Sequence, residues 1–452
     1  MRIWHRRDFL KASGLAALGL NLWTPGVLQR RLLAGPLDND TKLVFIFQRG
    51  GNDAVNTVIP YGDPEYNVVN RPTLYIPQSA ALDLGNGFAG LHPRMAPMME
   101  IFNQQQINGQ DGPGNLAVIH RVGYPNPSQS HFNSQQYWEN GKPGDKALDE
   151  GMIYRHIAAA LHPQVNRLAG VALSRSQLVA LKGPHPLPTI NNPDSFTLAG
   201  DDTTVQKFIG HLPTTPGGDN GTGLLGAYGG PQDQPGHAYR DLVYGTGLAL
   251  ADAMALVKEA VAQGPHTPAN GALYPDGSFG THLQQAAMLL KRTPARVLGL
   301  NIGGWDTHTR QGAAEGKQGD LLEKVAQGFQ ALYRDLQEQW DKLVIVTMTE
   351  FGRTSRENGS GGTDHAHACC MFVAGGRIQG GVYNCDNTTW APGDLFSTKD
   401  RYIRRNTDYR SVFADIFTRH FGDDPSLLET IIPGYTEAVQ ANPTEFRSLG
   451  IL

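Results

Sequence analysis

The residues best suited to chemistry in this sequence are two short groups of acidic and histidine side chains. Asp306 and His308 follow a Gly-Gly-Trp turn, and Asp364, His365 and His367 lie close together further along the chain. An Asp-x-His pair on one turn presents an oxygen and an imidazole nitrogen to one point, a donor mix that suits zinc or manganese better than calcium. The groups therefore predict a divalent metal. The alternative for the second group is a surface loop with chance histidines, since short His-rich tracts are only compositional signals.

Two more carboxylates follow apolar runs. Asp53 comes after a Gly-Gly-Asn turn, where it can bind a metal or cap the start of a helix, and the local sequence does not separate these roles. Glu350 ends an apolar run, where a buried charge is costly without a cation or a donor beside it. Arg353 can be that partner, or both residues can face a bound anion and its metal.

A hydroxyl nucleophile can come from the segment that contains Ser128 and Ser130, and His131 beside them is expected to be a further catalytic residue. Prolines at 125 and 127 predict a turn before a helix. A serine at a helix N terminus is well placed to attack a phosphoryl or sulfuryl centre, because the exposed amides there stabilise negative charge. The alternative is a plain serine cap, which the local sequence on its own favours.

Apolar, β-branched runs lead into these groups and predict the strands that position them. Near-continuous apolar strands are what a parallel sheet buried on both faces requires, and ligands bind beyond the carboxyl ends of such strands. Apolar residues at steps of three or four predict a helix over 321–340, which separates two runs as a crossover helix should. The predicted fold is α/β, with a mostly parallel sheet between helices. The predicted strands cover 42–47, 116–119, 296–302, 343–347 and 370–374.

The region 152–290 is predicted to be an insertion at one edge of the sheet, where it would help to shape a substrate pocket. It contains a helical stretch over 239–261 and a Gly- and Pro-rich segment over 213–235 that is typical of a surface loop. The chain from 35 to 452 is expected to form one α/β domain, since such domains reach this size with insertions.

Residues 1–34 have the form of an export signal. Arg6 and Arg7 precede an apolar stretch, 12–23, that is too short to span a bilayer, since a spanning helix needs about 20 strongly apolar residues. The arginine pair predicts the twin-arginine translocase as a partner, the periplasm as the destination, cleavage after Ala34 and no stable membrane anchor. An ordinary amphipathic N-terminal helix is the alternative.

The composition argues against two classes of protein. A net charge of −4, with 18% charged residues, leaves no basic field for a nucleic-acid backbone, so we expect no nucleic-acid partner. The only cysteines are Cys369, Cys370 and Cys385, which cannot form a disulfide framework. One of the adjacent pair could still bridge to Cys385 in an oxidising compartment.

Taken together, these segments resemble the twin-arginine-exported proteins of unknown function within the alkaline phosphatase and sulfatase superfamily. The resemblance covers nearly the whole mature chain, and the segments together are specific for the family. They are RGGND (49–53), VGYPNPS (122–128), SHF (130–132), GWDTH (304–308), TEFGRT (349–354), GTDH (362–365) and TDYRSV (407–412).

The resemblance implies a mixed, mostly parallel sheet between helices, with one or two divalent metals beside a Ser, Thr or formylglycine nucleophile. Asp53 then resembles the carboxylate that binds the metal nearest the nucleophile. Asp306 and His308 resemble ligands of the other metal, which His365 or His367 would complete.

The chain departs from the superfamily pattern at several positions. Glu350 stands where an Asp is usual, and Phe351 where a metal-binding His would follow, which puts the second metal in doubt. No Cys precedes Pro127 and Ser128, and Gln129 stands where sulfatases place an Arg. A formylglycine sulfatase of the usual kind is therefore not expected.

The leading hypothesis is a periplasmic, metal-dependent hydrolase of a small anionic phosphate or sulfate ester, with Ser130 or Ser128 as nucleophile. The metal would polarise the ester oxygen and lower the pKa of the nucleophile, while Arg353 would hold a non-bridging oxygen. The alternative, favoured by the missing ligand at Phe351, is a catalytically degenerate relative that serves as a binding or assembly protein of the cell envelope. Convergence of the acidic and histidine groups around a metal would separate the two.

Overall fold

The apolar runs of the sequence form the strands of a central sheet. The computed structural model describes residues 40–103, 114–161, 166–184, 187–196 and 238–452. The predicted export signal at 1–34 and the predicted loop at 213–235 lie outside these residues. Asn39–Leu452 group into one compact unit.

Two sheets are present in the described residues. The strands are β1 (Lys42–Arg49), β2 (Val58–Ile59), β3 (Leu82–Asp83), β4 (Gly90–Leu91), β5 (Leu116–Gly123), β6 (Gly170–Leu173), β7 (Val297–Gly303), β8 (Leu343–Thr349), β9 (Cys369–Ala374), β10 (Gly381–Tyr383) and β11 (Thr407–Asp408). The eight-stranded main sheet has the order β10-β5-β9-β8-β1-β7-β6, with β11 paired to β5. A small antiparallel sheet has the order β2-β4-β3.

Every strand of the main sheet except β9 runs in the same direction. β1 is parallel to β7 and β8, β6 is parallel to β7, and β10 and β11 are parallel to β5. β9 is antiparallel to β5 and to β8. The sheet is therefore mixed and mostly parallel, and the predicted strands are confirmed as β1, β5, β7, β8 and β9.

β1 shows why these runs form strands with two buried faces. Leu43, Phe45 and Phe47 belong to the core on one side of the sheet, and Val44 and Ile46 to the core on the other. Alternate side chains of a strand point to opposite faces, so a strand that is apolar throughout satisfies both cores. Full burial of each such side chain contributes about 1.5–3 kcal/mol.

Helices pack on both faces of the sheet. The α-helices of the described residues are α1 (Ala54–Thr57), α2 (Met99–Phe102), α3 (His131–Asn140), α4 (Met152–Ala160), α5 (Ala238–Ala262), α6 (Ser278–Arg292), α7 (Lys317–Asp335), α8 (Tyr409–Asp415), α9 (Leu428–Ile431) and α10 (Tyr435–Ala441). Residues of α6 and α7 lie in one core, and residues of α3, α4 and α8 in the other. Among the described helices, none combines the length and the apolar character needed to cross a membrane.

Shorter helical turns connect these elements. The 3₁₀ turns are Gln78–Ala80, Pro93–Met98, Val179–Leu181, Pro193–Ser195, Gln337–Lys342, Asp394–Phe396 and Pro425–Leu427, and a π turn covers Ile416–His420. The predicted crossover helix is confirmed as α7, whose buried Leu322, Val325 and Phe329 recur at helical spacing. The Gln337–Lys342 turn then leads directly into β8.

The region predicted to be an insertion supplies part of the main sheet. β6 lies within it and forms the edge strand, with Gly170 opposite Val297 of β7. α5 confirms the predicted helix at 239–261. The region therefore extends the sheet by one strand at this edge.

The cysteines belong to the core and form no bridge. Cys369, Cys370 and Cys385 are all fully buried and free. Burial raises the pKa of each thiol, so none is poised as a thiolate.

Candidate functional site

The candidate site lies at one edge of the main sheet. β1, β7 and β8 end there in register, and β9 begins there because it runs in the opposite direction. The segments that follow β7 and β8 carry Asp306, His308 and Glu350, and the segment before β9 carries His365 and His367. The topology thus brings the two groups predicted from the sequence to the same edge.

A close approach of two turns positions Asp306. Gly50 follows β1 with a φ of +129°, and a Cβ at this position would lie 2.4 Å from the Asp306 amide nitrogen. A side chain does not fit there, so the position requires glycine. The neighbouring Trp305 is fully buried and donates its indole N–H to the Ile302 carbonyl at 3.0 Å. These contacts hold the Asp306 backbone against the end of β1.

Asp306, His308 and His365 form a triangle of ligand atoms, called here the central triangle. Asp306 Oδ1 lies 3.0 Å from His308 Nε2 and 3.2 Å from His365 Nε2. The two Nε2 atoms lie 2.9 Å apart. The side chains of Asp306 and His308 are 48% and 41% exposed, so the central triangle is open to solvent.

In both imidazoles, Nδ1 is the outer nitrogen, which points away from the central triangle, and it faces an oxygen. His365 Nδ1 lies 2.7 Å from the Gln129 carbonyl, and His308 Nδ1 lies 3.1 Å from Asp364 Oδ1. Burial would raise the pKa of Asp364, but hydrogen bonds from Asn358 and His308 outweigh it and lower that pKa. A carbonyl or an ionised carboxylate can only accept, so both rings donate from Nδ1 and, when neutral, direct the Nε2 lone pair into the central triangle.

His131 approaches the same carboxylate from the start of α3. Its Nδ1 lies 2.8 Å from Glu350 Oε1, and its Nε2 lies 3.4 Å from Asp306 Oδ2. The Nε2 atom is buried and has no hydrogen-bond partner within the described part of the chain. Ligand atoms of His131, Asp306 and His365 all lie within 4.8 Å of one another, so these three residues could hold one ion.

Glu350 is a buried, ionised carboxylate that faces His131. Its Oε1 accepts from the Gly50 amide at 2.8 Å, from His131 Nδ1 at 2.8 Å and from Gln135 Nε2 at 2.9 Å. Complete burial would raise the pKa of Glu350, but hydrogen bonds from His131 and Gln135 outweigh it and lower that pKa. Glu350, a predicted metal ligand, is thus linked to Asp306 through the His131 ring.

Arg353 binds the turns of the site. It is 1% exposed, and its Nη2 lies 2.6 Å from Asp306 Oδ1, while Nη1 lies 3.5 Å from His308 Nε2. Its other acceptors are the carbonyl oxygens of Gly50, Gly51, Trp305 and Thr363. Burial would raise the pKa of Asp306, but the hydrogen bond and charge of Arg353 lower it to about 2. These acceptors and Asp306 use the N–H groups of Nε and Nη2 and one of the two on Nη1. The other Nη1 N–H has only His308 Nε2 near it, at 3.5 Å, so the contact of Arg353 with a substrate oxygen stays a prediction.

Asp53 forms a buried ion pair with an arginine. Arg71 Nη1 lies 2.7 Å from Asp53 Oδ2, and both side chains are almost completely buried. Gln311 Nε2 donates to the same carboxylate at 2.7 Å, and the Val55 amide donates at 3.1 Å, so Asp53 also caps α1. The structure therefore places Asp53 outside the central triangle, where Arg71 supplies the positive charge beside its carboxylate.

The candidate serines differ in their hydrogen bonds. Ser128 Oγ accepts from the Ser130 amide at 3.2 Å. Ser130 is exposed at the N-cap of α3, and its side chain makes no capping hydrogen bond. Its chain neighbours are Gln129, whose carbonyl binds His365, and His131. Ser130 therefore lies at the rim of the site with its hydroxyl uncommitted to the helix.

His367 packs against an aromatic ring outside the central triangle. The centroids of His367 and Tyr402 lie 4.4 Å apart. Burial, together with the charges of Lys399 and Arg405, lowers the pKa of His367 to about 4. Of the two histidines that the sequence offered, the structure brings His365 to the centre.

Two important partners were not predicted from the sequence. Arg71 belongs to a loop without a recognisable motif. Gln135 stands four residues after His131 on α3, and this spacing places both side chains on one face of the helix. That spacing is the one signal in the sequence that could have identified Gln135.

Comparison with known proteins gives a match to one family over part of the chain. No curated protein matches the sequence. The matching range begins after Asp53 and the candidate serines in the sequence, and it includes Asp306, His308 and the 364–367 group. Over residues 233–432 the chain matches a family described as protein of unknown function, DUF1501.

Proposed function

We propose that the protein is an exported, metal-dependent hydrolase of phosphate or sulfate esters, with an alkaline phosphatase-like fold. Its metal would be one divalent ion, zinc or manganese, held by Asp306, His308 and His365. The 2.9 Å separation of His308 Nε2 and His365 Nε2 carries the proposal. Both rings donate from Nδ1 to oxygens, so their Nε2 lone pairs oppose each other unless a cation lies between them.

The donor set fits such a metal. Zinc bonds of about 2.0–2.1 Å in a tetrahedral site would separate neighbouring ligand atoms by about 3.3 Å. The central triangle has sides of 3.0, 3.2 and 2.9 Å. Imidazole and carboxylate ligands suit zinc and manganese. In metal sites, an oxygen that accepts the second N–H of a histidine ligand orients the ring, as the oxygens of Asp364 and Gln129 would do here.

Ser130 is the nucleophile in this proposal. When bound, the metal would polarise an ester oxygen and lower the pKa of a nearby hydroxyl. Ser130 stands beside the site without a capping bond, whereas the Ser128 hydroxyl is engaged with the Ser130 amide. The first-turn amides of α3 would favour an anionic ester at this position.

Other groups occupy the positions expected for a second metal. Arg71 neutralises Asp53. Phe351 packs its ring 4.9 Å from that of His131 and 4.6 Å from that of His365. These contacts support a single ion, and they also favour the alternative of a catalytically degenerate binding or assembly protein.

Hydrolysis of an aryl phosphate and an aryl sulfate by the purified protein tests the proposal. We expect turnover of at least one ester, loss of turnover after chelation, and recovery on addition of zinc or manganese but not calcium. A protein that binds metal and hydrolyses neither ester would support the binding alternative. A protein that binds neither ion would overturn the metal centre itself.

Export through the twin-arginine translocase to the periplasm is part of the same proposal. Arg6 and Arg7 before the apolar stretch 12–23 support it. A chain that crosses the membrane folded can take up its metal beforehand, which agrees with a metal-dependent enzyme.

A further inference from the structure

We infer that His131 is a further ligand of the metal centre and that Glu350 is the carboxylate that positions it. The inference rests on the proposed function, because it takes the metal at Asp306, His308 and His365 as given. It assigns His131 a metal-binding role in place of the catalytic role expected beside the serines. With four protein ligands, the ion would take up an ester oxygen as a fifth ligand, an expansion that catalytic zinc sites allow. Glu350 then supports the centre without touching the ion.

The first observation is the unpartnered inner nitrogen of His131. His131 Nε2 is buried, lacks a hydrogen-bond partner in the described chain, and lies 3.4 Å from Asp306 Oδ2. That distance is long for an N–H···O hydrogen bond, which usually spans about 2.7–3.2 Å. It is close to the separation of about 3.3 Å expected for two atoms that share one tetrahedral zinc. Buried polar atoms rarely lack a partner, and a metal would supply one.

The second observation is the carboxylate behind the ring. Glu350 Oε1 lies 2.8 Å from His131 Nδ1, and Glu350 is completely buried. The same oxygen also accepts from the Gly50 amide and from Gln135, so it acts only as an acceptor. The His131 Nδ1 atom therefore carries a proton, and the ring, when neutral, directs its Nε2 lone pair toward Asp306.

All three imidazoles then share one arrangement. Each ring gives its outer N–H to an oxygen and turns its inner nitrogen toward the Asp306 carboxylate. Histidines that bind metals almost always have such an outer-shell partner. The ring and partner pairs are His131 with Glu350, His308 with Asp364, and His365 with the Gln129 carbonyl.

Phe351 indicates why an imidazole from α3 is needed. Phe351 stands where the superfamily that the sequence resembles has a metal-binding histidine. Its ring packs against both His131 and His365. His131 and His365 have ring centroids 4.4 Å apart at an interplanar angle of 77°. His131 therefore brings from the neighbouring helix an imidazole that position 351 does not provide.

Metal affinity of matched variants tests the inference. The dissociation constant for zinc is measured by chelator competition on the full chain, with folding checked by circular dichroism. We expect His131→Ala to weaken binding at least about 100-fold and Glu350→Gln to weaken it about 10–100-fold, the range found for outer-shell partners. His367→Ala, a nearby histidine outside the central triangle, should leave the affinity unchanged.

A measurement on the unaltered protein guards against variants that do not fold. X-ray absorption of the zinc-loaded chain should show scattering from three imidazoles, with Co²⁺ substitution giving a visible spectrum that His131→Gln alters. Two imidazoles in the absorption data, or an unchanged affinity in His131→Ala, would overturn the inference.

The outcomes separate this inference from the proposed function. If the unaltered chain binds no metal, the proposed metal centre fails, and the role of His131 fails with it. If His308→Ala removes the metal while His131→Ala retains full affinity, the proposed centre stands and only the role of His131 is wrong.

Discussion

His308 Nε2 and His365 Nε2 lie 2.9 Å apart, although 57 positions separate the two residues in the sequence. His308 comes from the turn after β7, and His365 from the segment before β9. Opposed lone pairs at this distance repel each other in a neutral site, so a proton or a metal ion is needed to stabilise the contact. The two loops thus hold the rings in an arrangement that a bound cation would stabilise.

The substitution His308→Ala should remove the bound metal, because it deletes one corner of the central triangle. We expect about one zinc or manganese per unaltered chain as isolated, since the central triangle supplies the three protein ligands that a catalytic zinc requires. Elemental analysis of both proteins measures the difference, with Ser130→Ala as the control that should keep its metal. Equal metal content in the His308 variant would contradict the centre.

The substitution Ser130→Ala should abolish ester hydrolysis without loss of metal. Removal of a nucleophile lowers kcat by on the order of 10³-fold or more, because no other group takes over the bond-forming step. Steady-state kinetics on an aryl ester measure the effect. Ser128→Ala should reduce kcat much less, and the reverse order would make Ser128 the nucleophile.

The substitution Arg71→Leu should destabilise the fold, because it leaves the Asp53 carboxylate buried without its cation. Loss of one partner from a buried ion pair costs about 3–5 kcal/mol. Urea unfolding measures the change, and addition of Asp53→Asn to the variant should recover part of it. Asp53→Asn alone should leave the metal content unchanged, whereas loss of metal would make Asp53 a ligand.

His120 should make the protein less stable as the pH falls. Its Nδ1 accepts from the Arg121 amide at 2.8 Å, and its Nε2 lies 3.2 Å from the Val58 carbonyl, so the ring is held neutral. Burial, and then the charge of Arg121, lower the pKa of His120 to about 3. The unfolded chain takes up this proton near pH 6.5, so the free energy of unfolding falls by about 1.4 kcal/mol per pH unit between the two pKa values.

Urea unfolding of the unaltered chain and of His120→Gln at about pH 7 and about pH 5 measures this contribution. The variant cannot take up the proton, so its stability should fall less between the two conditions. An equal fall in both proteins would show that His120 does not contribute to the acid sensitivity.

The double substitution Arg6→Lys and Arg7→Lys should leave the precursor in the cytoplasm, because the arginine pair distinguishes this signal from a generic one. Cell fractionation and immunoblotting measure the distribution. A variant in which the apolar stretch 12–23 is unchanged and a distant arginine is replaced serves as the control. An unchanged periplasmic yield would contradict twin-arginine export.

The sequence by itself determined the sheet and the edge at which the site lies. Runs such as 42–47 and 343–347 are apolar on both faces, and such strands are stable only between two cores. Strands of one direction end at one edge, so Asp306, His308 and Glu350 were expected at the same edge of the sheet. Residue type and spacing were sufficient to predict the strands, because side chains alternate between the two faces of a strand and the burial of both faces can be read from neighbouring residues.

Only the tertiary structure decided which partner each side chain meets. Asp53 could bind a metal or cap a helix, and the outcome depended on Arg71, which reaches it across a loop. His131 and Glu350 became partners because α3 packs beside the end of β8. Hydrogen bonds and ion pairs form only when segments remote in sequence are positioned to within a few tenths of an ångström, and neither periodicity nor composition records such positions.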